Sequence, residues 1–161
     1  SGKRKDILSA GLLLHDVGKI GIPDNILKKP ASLDNEEWKI MRTHVEKGVK
    51  ILEPLADFKE AAEIVFCHHE CFDGSGYPRG LKGMEIPIEA RIVSAVDAFH
   101  AIISTRCYRQ GRSTEAALRE LQRCAGKQFD PDVVEALGRA VREGLAHDKK
   151  AGNNACLQTS G

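Results

Sequence analysis

Hydrophobic residues recur along most of the chain at the three- to four-residue spacing of amphipathic helices, and the strict alternation typical of half-buried strands is absent. The first such run predicts a helix over about residues 4–16, which ends near His15 and Asp16. A second run begins at Asp34, an expected N-cap, and continues to Pro54 with apolar residues at helical spacing: Trp38, Met41, Val45, Val49 and Leu52. The pattern therefore predicts an all-α fold.

The rest of the chain continues this pattern around one loop. Further helices are predicted from about Phe58 to Glu70, after Pro87, after the capping residue Ser113, and from Pro131. Between the third and fourth helices, residues 73–83 are rich in glycine and predict a structured, turn-rich loop. Apolar periodicity stops near residue 147, so we expect a domain over 1–146 and a flexible tail over 147–161.

Composition narrows the class of protein. The chain has 161 residues, 42% of them hydrophobic, and a formal net charge of +1, which fits one soluble domain and excludes intrinsic disorder, collagen and a strongly basic module for nucleic acid polymers. No apolar run reaches the ~20 residues of a membrane span, since Asp97 and His100 interrupt the longest candidate. Five irregularly spaced cysteines do not form a secreted disulfide framework, which favours reduced thiols and a cytoplasmic location.

Strong metal ligands are spread over four of the predicted helices: His15, Asp16, His44, His68, His69 and Asp97. Inward-facing side chains of different helices commonly build metal sites in helical bundles. Adjacent residues of a helix project about 100° apart, so the two members of an adjacent pair cannot easily bind the same ion. Two ions, with Asp16 bridging them, would resolve this geometry. Taken singly, the histidines also fit ordinary surface or hydrogen-bonding roles, whereas a carboxylate in the apolar helix of Asp97 is harder to explain without a partner.

The motifs that carry these residues also carry a resemblance. His15-Asp-Val-Gly-Lys-Ile20, His44, His68-His-Glu70, Asp73-Gly-Ser-Gly-Tyr-Pro78, Asp97 and Phe129-Asp-Pro131 follow one another in the order typical of one family. From about residue 7 to 145 the chain resembles the HD-GYP subgroup of the HD phosphohydrolase superfamily. The resemblance implies an HD-domain helical bundle with a glycine-rich GYP loop between helices.

That resemblance implies a phosphodiesterase that hydrolyses cyclic di-GMP to linear pGpG or GMP through a metal-bridging hydroxide. It implies two divalent ions, iron or manganese first, with zinc or nickel as further possibilities. His15 and Asp16 are then ligands with Asp16 bridging, Asp97 helps to hold the first ion, and the second ion is held by His44, His68 and His69.

Other expectations concern the substrate and partners. Lys19 is expected to face the phosphate as a catalytic residue beside Asp16, and the substrate contacts are expected from Tyr77, Arg106 and Arg109. The resemblance also implies a bacterial signalling protein with a separate regulatory domain, a GYP loop that contacts diguanylate cyclase-type proteins, and a possible homodimer.

Two features depart from the family pattern. Members usually supply a further histidine some two dozen residues before the His-Asp pair, and only 14 residues precede His15 here. We therefore expect residues 1–146 to be an N-terminally truncated HD-GYP domain that lacks this ligand, and the sequence does not decide whether the domain is active without it. The usual Asp-x-Phe-Asp reads Asp97-Ala-Phe-His100, where His100 is a substitute ligand, a substrate contact or a plain rim histidine. The alternatives to an active cyclic di-GMP phosphodiesterase are a cyclic di-GMP sensor or protein-interaction module with the same fold, and an HD hydrolase that acts on another nucleotide.

Overall fold

The computed structural model describes the backbone of residues 2–104 and 111–157, and the side chains of 2–104 and 111–145. Within these ranges the chain forms helices and no β-strand, which confirms the predicted all-α class. The helices are α1 (Gly2–Leu14), α2 (Asp24–Leu27), α3 (Asn35–Arg42), α4 (His44–Leu52), α5 (Lys59–Cys67), α6 (Ile88–Ile103), α7 (Thr114–Arg123) and α8 (Pro131–Leu157). Short 3₁₀ turns occupy Val17–Gly21, Ala56–Phe58 and Gly83–Glu85.

The sequence predicts one helix from Asp34 to Pro54, but the structure has two, because the helix is interrupted at Thr43. Asp34 caps α3 as predicted: its carboxylate accepts from the amides of Glu36 and Glu37, and the Glu37 carboxylate accepts from the amide of Asp34. At the other end, the Thr43 hydroxyl donates to the carbonyl of Ile40 at 2.7 Å. Such a bond competes with continuation of the helix, and α4 begins afresh at His44.

Helix α6 lies at the centre of the core and buries residues on two sides. Ala90 and Val93 pack into a cluster with Ile64 and Cys67 of α5, and Ala95 packs into a second cluster formed mainly by α7 and α8. The sequence pattern predicts one buried side of this helix, which includes Ile88, Ile92, Ala95 and Phe99; Ala95 is buried as predicted, whereas the other three are only partly buried beside the second cluster.

The starts of the last two helices agree with the sequence prediction. The hydroxyl of Ser113 accepts from the amide of Ala116, and α8 begins at Pro131. The buried Asp130 pairs with the guanidinium of Arg91 on α6, which joins the two helices. The backbone of α8 is helical through Leu157, and a domain boundary at residue 146 remains a prediction.

A close backbone approach sets the geometry at one end of the bundle. The 3₁₀ turn Val17–Gly21 packs on α4 so tightly that a Cβ atom on Gly18 would lie 1.8 Å from the carbonyl oxygen of His44. Only a glycine fits there, and the contact brings the segment after α1 beside the first residue of α4. Across residues 2–104 and 111–157, no helix has both the length and the apolar character that a bilayer crossing requires.

Candidate metal centre

The predicted ligands converge at the end of the bundle that the close approach defines. His15 and Asp16 follow α1, His44 begins α4, and His68 and His69 follow α5. One ligand atom from each of Asp16, His44, His68 and His69 lies within 4.8 Å of the others. The middle of α6 adds Asp97, whose Oδ1 lies 3.6 Å from Nε2 of His15. All six residues singled out from the sequence therefore lie in one cluster.

Backbone carbonyls fix the orientation of three of the imidazole rings. Nδ1 of His15, His44 and His68 lies 2.8, 2.8 and 2.7 Å from the carbonyl oxygens of Leu12, Met41 and Val65. A carbonyl only accepts, so Nδ1 carries the hydrogen and the Nε2 lone pair of the neutral ring is free. Metal-binding histidines are commonly oriented in this way.

Two of these free lone pairs are buried. Nε2 of His44 and Nε2 of His68 have no hydrogen-bond partner among the described residues, and each residue is about 1% exposed. A buried polar atom without a partner costs free energy, so two of them beside a carboxylate need an explanation. A divalent cation satisfies both lone pairs, and the nitrogen and oxygen ligand set suits iron, manganese or zinc.

Asp16 divides its carboxylate between two groups of ligands. Its Oδ2 lies 3.5 Å from Nε2 of His15, and its Oδ1 lies 3.7 Å from Nε2 of His44. This arrangement suits a carboxylate that bridges two ions. The ammonium group of Lys19 donates to Oδ2 at 2.6 Å, so a positive charge already lies against the same oxygen.

Burial keeps most of the histidines neutral. It lowers the pKa of His68 to about 4 and that of His69 to about 2, and it also lowers the pKa of His44. His15 differs, because the Asp97 carboxylate 3.6 Å from its Nε2 raises the pKa of the imidazole, and the imidazole lowers the pKa of the carboxyl group. Neutral imidazoles and ionised carboxylates are the forms that bind cations.

The glycine-rich loop covers one side of the cluster. The ring of Tyr77 stacks on His69 with 4.9 Å between the ring centroids, and burial raises the pKa of Tyr77 to about 12. The buried carboxylate of Glu70 accepts from the amides of Arg79 and Leu81 at 2.7 and 3.1 Å, which holds the loop in place. Tyr77, which the sequence analysis expects to contact the substrate, therefore lies beside the cluster, and the substrate contact itself stays a prediction.

One residue at the site was missed from the sequence. The guanidinium carbon of Arg42 lies 5.1 Å from the centre of the Tyr77 ring, in a cation–π contact. Basic residues are common at the C-terminal end of a helix because they interact favourably with the helix dipole. The sequence position of Arg42 therefore did not mark it as a residue of the site. Its place two residues before His44 is the feature that could have identified it.

Three further candidates are Arg106, Arg109 and His100. Arg106 and Arg109 fall outside the described residues. His100 is exposed on α6, with Nε2 3.3 Å from the hydroxyl oxygen of Ser104. Cys67 is buried in the core beside Ile64, as expected of a small hydrophobic residue.

Comparisons with known proteins agree with the motifs. The profile of the HD domain family matches residues 3–133. A cyclic di-GMP phosphodiesterase of Thermotoga maritima is 48% identical over 134 residues, which cover 81% of this chain and 36% of that protein. A 3'3'-cGAMP-specific phosphodiesterase 2 of Vibrio cholerae is 45% identical, with 82% of this chain and 26% of that protein covered. The response regulator RpfG of Xanthomonas campestris, a cyclic di-GMP phosphodiesterase, is 43% identical, with 85% and 37% covered.

Solved structures share the fold. A cyclic GMP-AMP specific phosphodiesterase of V. cholerae matches with a TM-score of 0.68 and 22% identity, over 88% of this chain and 39% of that one. An HDG"Y"P protein of Bdellovibrio bacteriovorus matches with a TM-score of 0.68 and 23% identity, over 87% and 44%. The chain thus spans between 26% and 37% of the length of the three relatives named above.

Proposed function

The chain belongs to the HD domain family, within its HD-GYP subgroup, and from this premise we propose that it is a metal-dependent phosphodiesterase that hydrolyses cyclic di-GMP. One observation carries the proposal: the buried Nε2 atoms of His44 and His68, without a partner in the described structure, lie beside the carboxylate of Asp16. Names of relatives support the substrate class, since both cyclic di-GMP and 3'3'-cGAMP are cyclic dinucleotides.

The ligand set divides into two groups that share Asp16. His15 and Asp97 would hold one ion together with Asp16, and the other ion would be held by Asp16 with His44, His68 and His69. We propose iron or manganese as the physiological metal. When bound, a pair of such ions supplies a water of lowered pKa and withdraws charge from a phosphodiester.

The protein's own groups prepare the site for an anion. Lys19 is half-exposed beside Asp16, so its ammonium group would offset the charge of a phosphate that reaches the cluster. Tyr77 packs against His69 and shields one face of the imidazole from water. Arg106 and Arg109 are proposed as further phosphate contacts, on the strength of the family resemblance.

Four further features of the protein are proposed from the family resemblance. They are a regulatory domain in a longer bacterial protein, a cytoplasmic location, contact of the GYP loop with diguanylate cyclase-type proteins, and a homodimer. Each is supported by the resemblance to longer signalling proteins.

The test combines metal analysis with a hydrolysis assay on protein purified without chelator. We expect about two metal ions per chain, and conversion of cyclic di-GMP to a linear dinucleotide or GMP. 3'3'-cGAMP is assayed in parallel, and faster cleavage of 3'3'-cGAMP than of cyclic di-GMP would identify 3'3'-cGAMP as the preferred substrate. Binding of cyclic di-GMP without cleavage by iron- or manganese-loaded protein would overturn the enzyme and favour a sensor.

A further inference from the structure

A cavity of about 700 Å³ lies directly beside the metal centre. Helix α3 lines it with Asn35, Glu36, Trp38, Lys39 and Arg42, and the Lys39 ammonium group pairs with the Glu36 carboxylate at 2.6 Å. His69 and Tyr77 form the opposite wall, so the cavity and the metal centre share two residues. We call this cavity the α3 basin.

Trp38 is the feature of the α3 basin that most needs a function. Its side chain is 47% exposed, although an indole is among the largest apolar groups a protein can bury. Single exposed apolar residues are common on monomers. This one lies in a concave surface beside the guanidinium of Arg42 and the Glu36–Lys39 ion pair, and an exposed aromatic ring beside a cation is a setting in which flat bases stack.

The helix that carries Trp38 is firmly anchored. The Asp34–Glu37 capping box closes its first turn, and the ammonium group of Lys29 contacts the Glu37 carboxylate at 2.5 Å. These contacts fix the first turn of α3, directly before Trp38, which favours a preorganised basin.

Two successive ring contacts join the basin to the metal centre. The guanidinium of Arg42 lies 5.1 Å from the Tyr77 ring centroid, and the Tyr77 ring lies 4.9 Å from that of His69, a proposed metal ligand. In a nucleotide only the sugar separates the phosphate from the base. A phosphodiester at the metal centre would therefore place a base at or near the basin.

We propose that the α3 basin binds one purine base of the cyclic dinucleotide, with Trp38 as its stacking surface and Arg42 holding Tyr77 against His69. The inference rests on the proposed function, because the substrate supplies the base. Stacking on an aromatic side chain tolerates different bases, so the basin would accept guanine or adenine.

Trp38 is the only tryptophan of the sequence, so its fluorescence reports on the basin directly. Titration of the protein with GMP should quench this emission saturably. Ribose 5-phosphate, which has the phosphate and sugar but no base, should leave it unchanged. Absence of quenching by GMP, or equal quenching by both compounds, would overturn the inference.

Steady-state kinetics provide a second, independent readout. Trp38→Ala should raise the KM for cyclic di-GMP by about 10- to 100-fold, with a smaller effect on kcat, because base stacking contributes mainly to binding. Trp38→Phe should recover most of the loss. Ile40→Ala, on the same helix but outside the basin, is the matched control and should behave as the unmodified protein does.

The outcomes separate this inference from the proposed function. Quenching by GMP in a protein that cleaves no cyclic dinucleotide would support the purine subsite and overturn the phosphodiesterase. Cleavage of cyclic di-GMP with an unchanged KM in Trp38→Ala would support the phosphodiesterase and overturn the subsite.

Discussion

Oδ1 of Asp16 lies 3.7 Å from Nε2 of His44, a buried nitrogen without another partner among the described residues. The two residues come from different elements, the turn after α1 and the start of α4. They are brought together by the backbone contact at Gly18. Because the other oxygen of Asp16 faces His15, this one carboxylate connects both halves of the proposed ligand set.

Asp16→Ala should therefore remove both metal ions. The substitution deletes the shared ligand and leaves each ion with histidines and at most one carboxylate. Metal content measured by mass spectrometry after gel filtration should fall from about two ions per chain towards zero, with loss of hydrolysis. The Asp16 side chain is 39% exposed, so the helical circular dichroism spectrum should be preserved.

His100→Ala is the matched control for this experiment. His100 is exposed on α6 beside Ser104, so its removal should leave the metal content unchanged. Full metal content in Asp16→Ala would exclude the bridging role. Loss of metal in His100→Ala would instead identify His100 as a ligand.

The six proposed ligands could be singled out because metal-binding residue types recur on four predicted helices. Their assignment as one ligand set came from the resemblance of the surrounding motifs to a known family, since His44 and Asp97 taken singly also fit ordinary structural roles. Arg42 and the break at Thr43 could not be predicted in this way. The position of Arg42 depends on its contact with Tyr77, and the interruption at Thr43 depends on the hydrogen bond to the Ile40 carbonyl. Neither contact leaves a periodic pattern in the sequence.

Helix α6 illustrates the same limit in the core. The sequence predicts a single buried face, whereas the helix packs against α1 and α5 on one side and against α7 and α8 on the other. Apolar periodicity locates a helix, but it does not say how many neighbours the helix has. Ala90 is fully buried, although the pattern of large apolar residues does not include it, because an alanine has low hydrophobicity.

Once the metals are removed by a chelator, the free energy of unfolding should fall as the pH is lowered. Burial lowers the pKa of His68 to about 4, whereas the same group in the unfolded chain titrates near 6.5. Below pH 6.5 the unfolded state therefore binds more protons than the folded state. For His68 alone, the free energy of unfolding should fall by about 1 kcal/mol per pH unit as the pH drops below 6.5 towards 4.

Other histidines modify this slope in opposite directions. His44 and His69 have lowered pKa values through burial and add to it, whereas the raised pKa of His15 opposes it. Urea denaturation in EDTA at pH 7, 6 and 5 measures the effect. His68→Gln should reduce the slope relative to the unmodified protein, and an identical slope in both would contradict the assignment to His68.

Glu70 should control the position of the glycine-rich loop. Its carboxylate accepts from the amides of Arg79 and Leu81, and Glu70→Ala leaves these donors without that acceptor. We expect a loss of about 1–3 kcal/mol in the free energy of unfolding. Hydrogen exchange at the two amides should accelerate, and the KM for cyclic di-GMP should rise because the loop carries Tyr77.

Two variants make the Glu70 experiment specific. Glu70→Gln keeps one acceptor oxygen and should have a smaller effect on exchange. Glu60→Ala removes an exposed carboxylate from α5, which pairs with Lys3, and should leave the loop unchanged. Unaltered exchange at Arg79 and Leu81 in Glu70→Ala would show that the loop is held by other contacts.

Gly18→Ala should destabilise the fold and the metal site together. The new Cβ atom would lie 1.8 Å from the His44 carbonyl oxygen and 2.4 Å from the Gly48 amide nitrogen, so the 3₁₀ turn and α4 must separate. We expect a loss of about 1–3 kcal/mol in urea denaturation, and a lower metal content because Asp16 moves away from His44. Gly144→Ala on α8 is the control: its Cβ meets no atom within 4 Å, so better helix propensity should raise stability by up to about 1 kcal/mol. Equal stability and metal content in the two variants would show that the close approach at Gly18 is not what assembles the site.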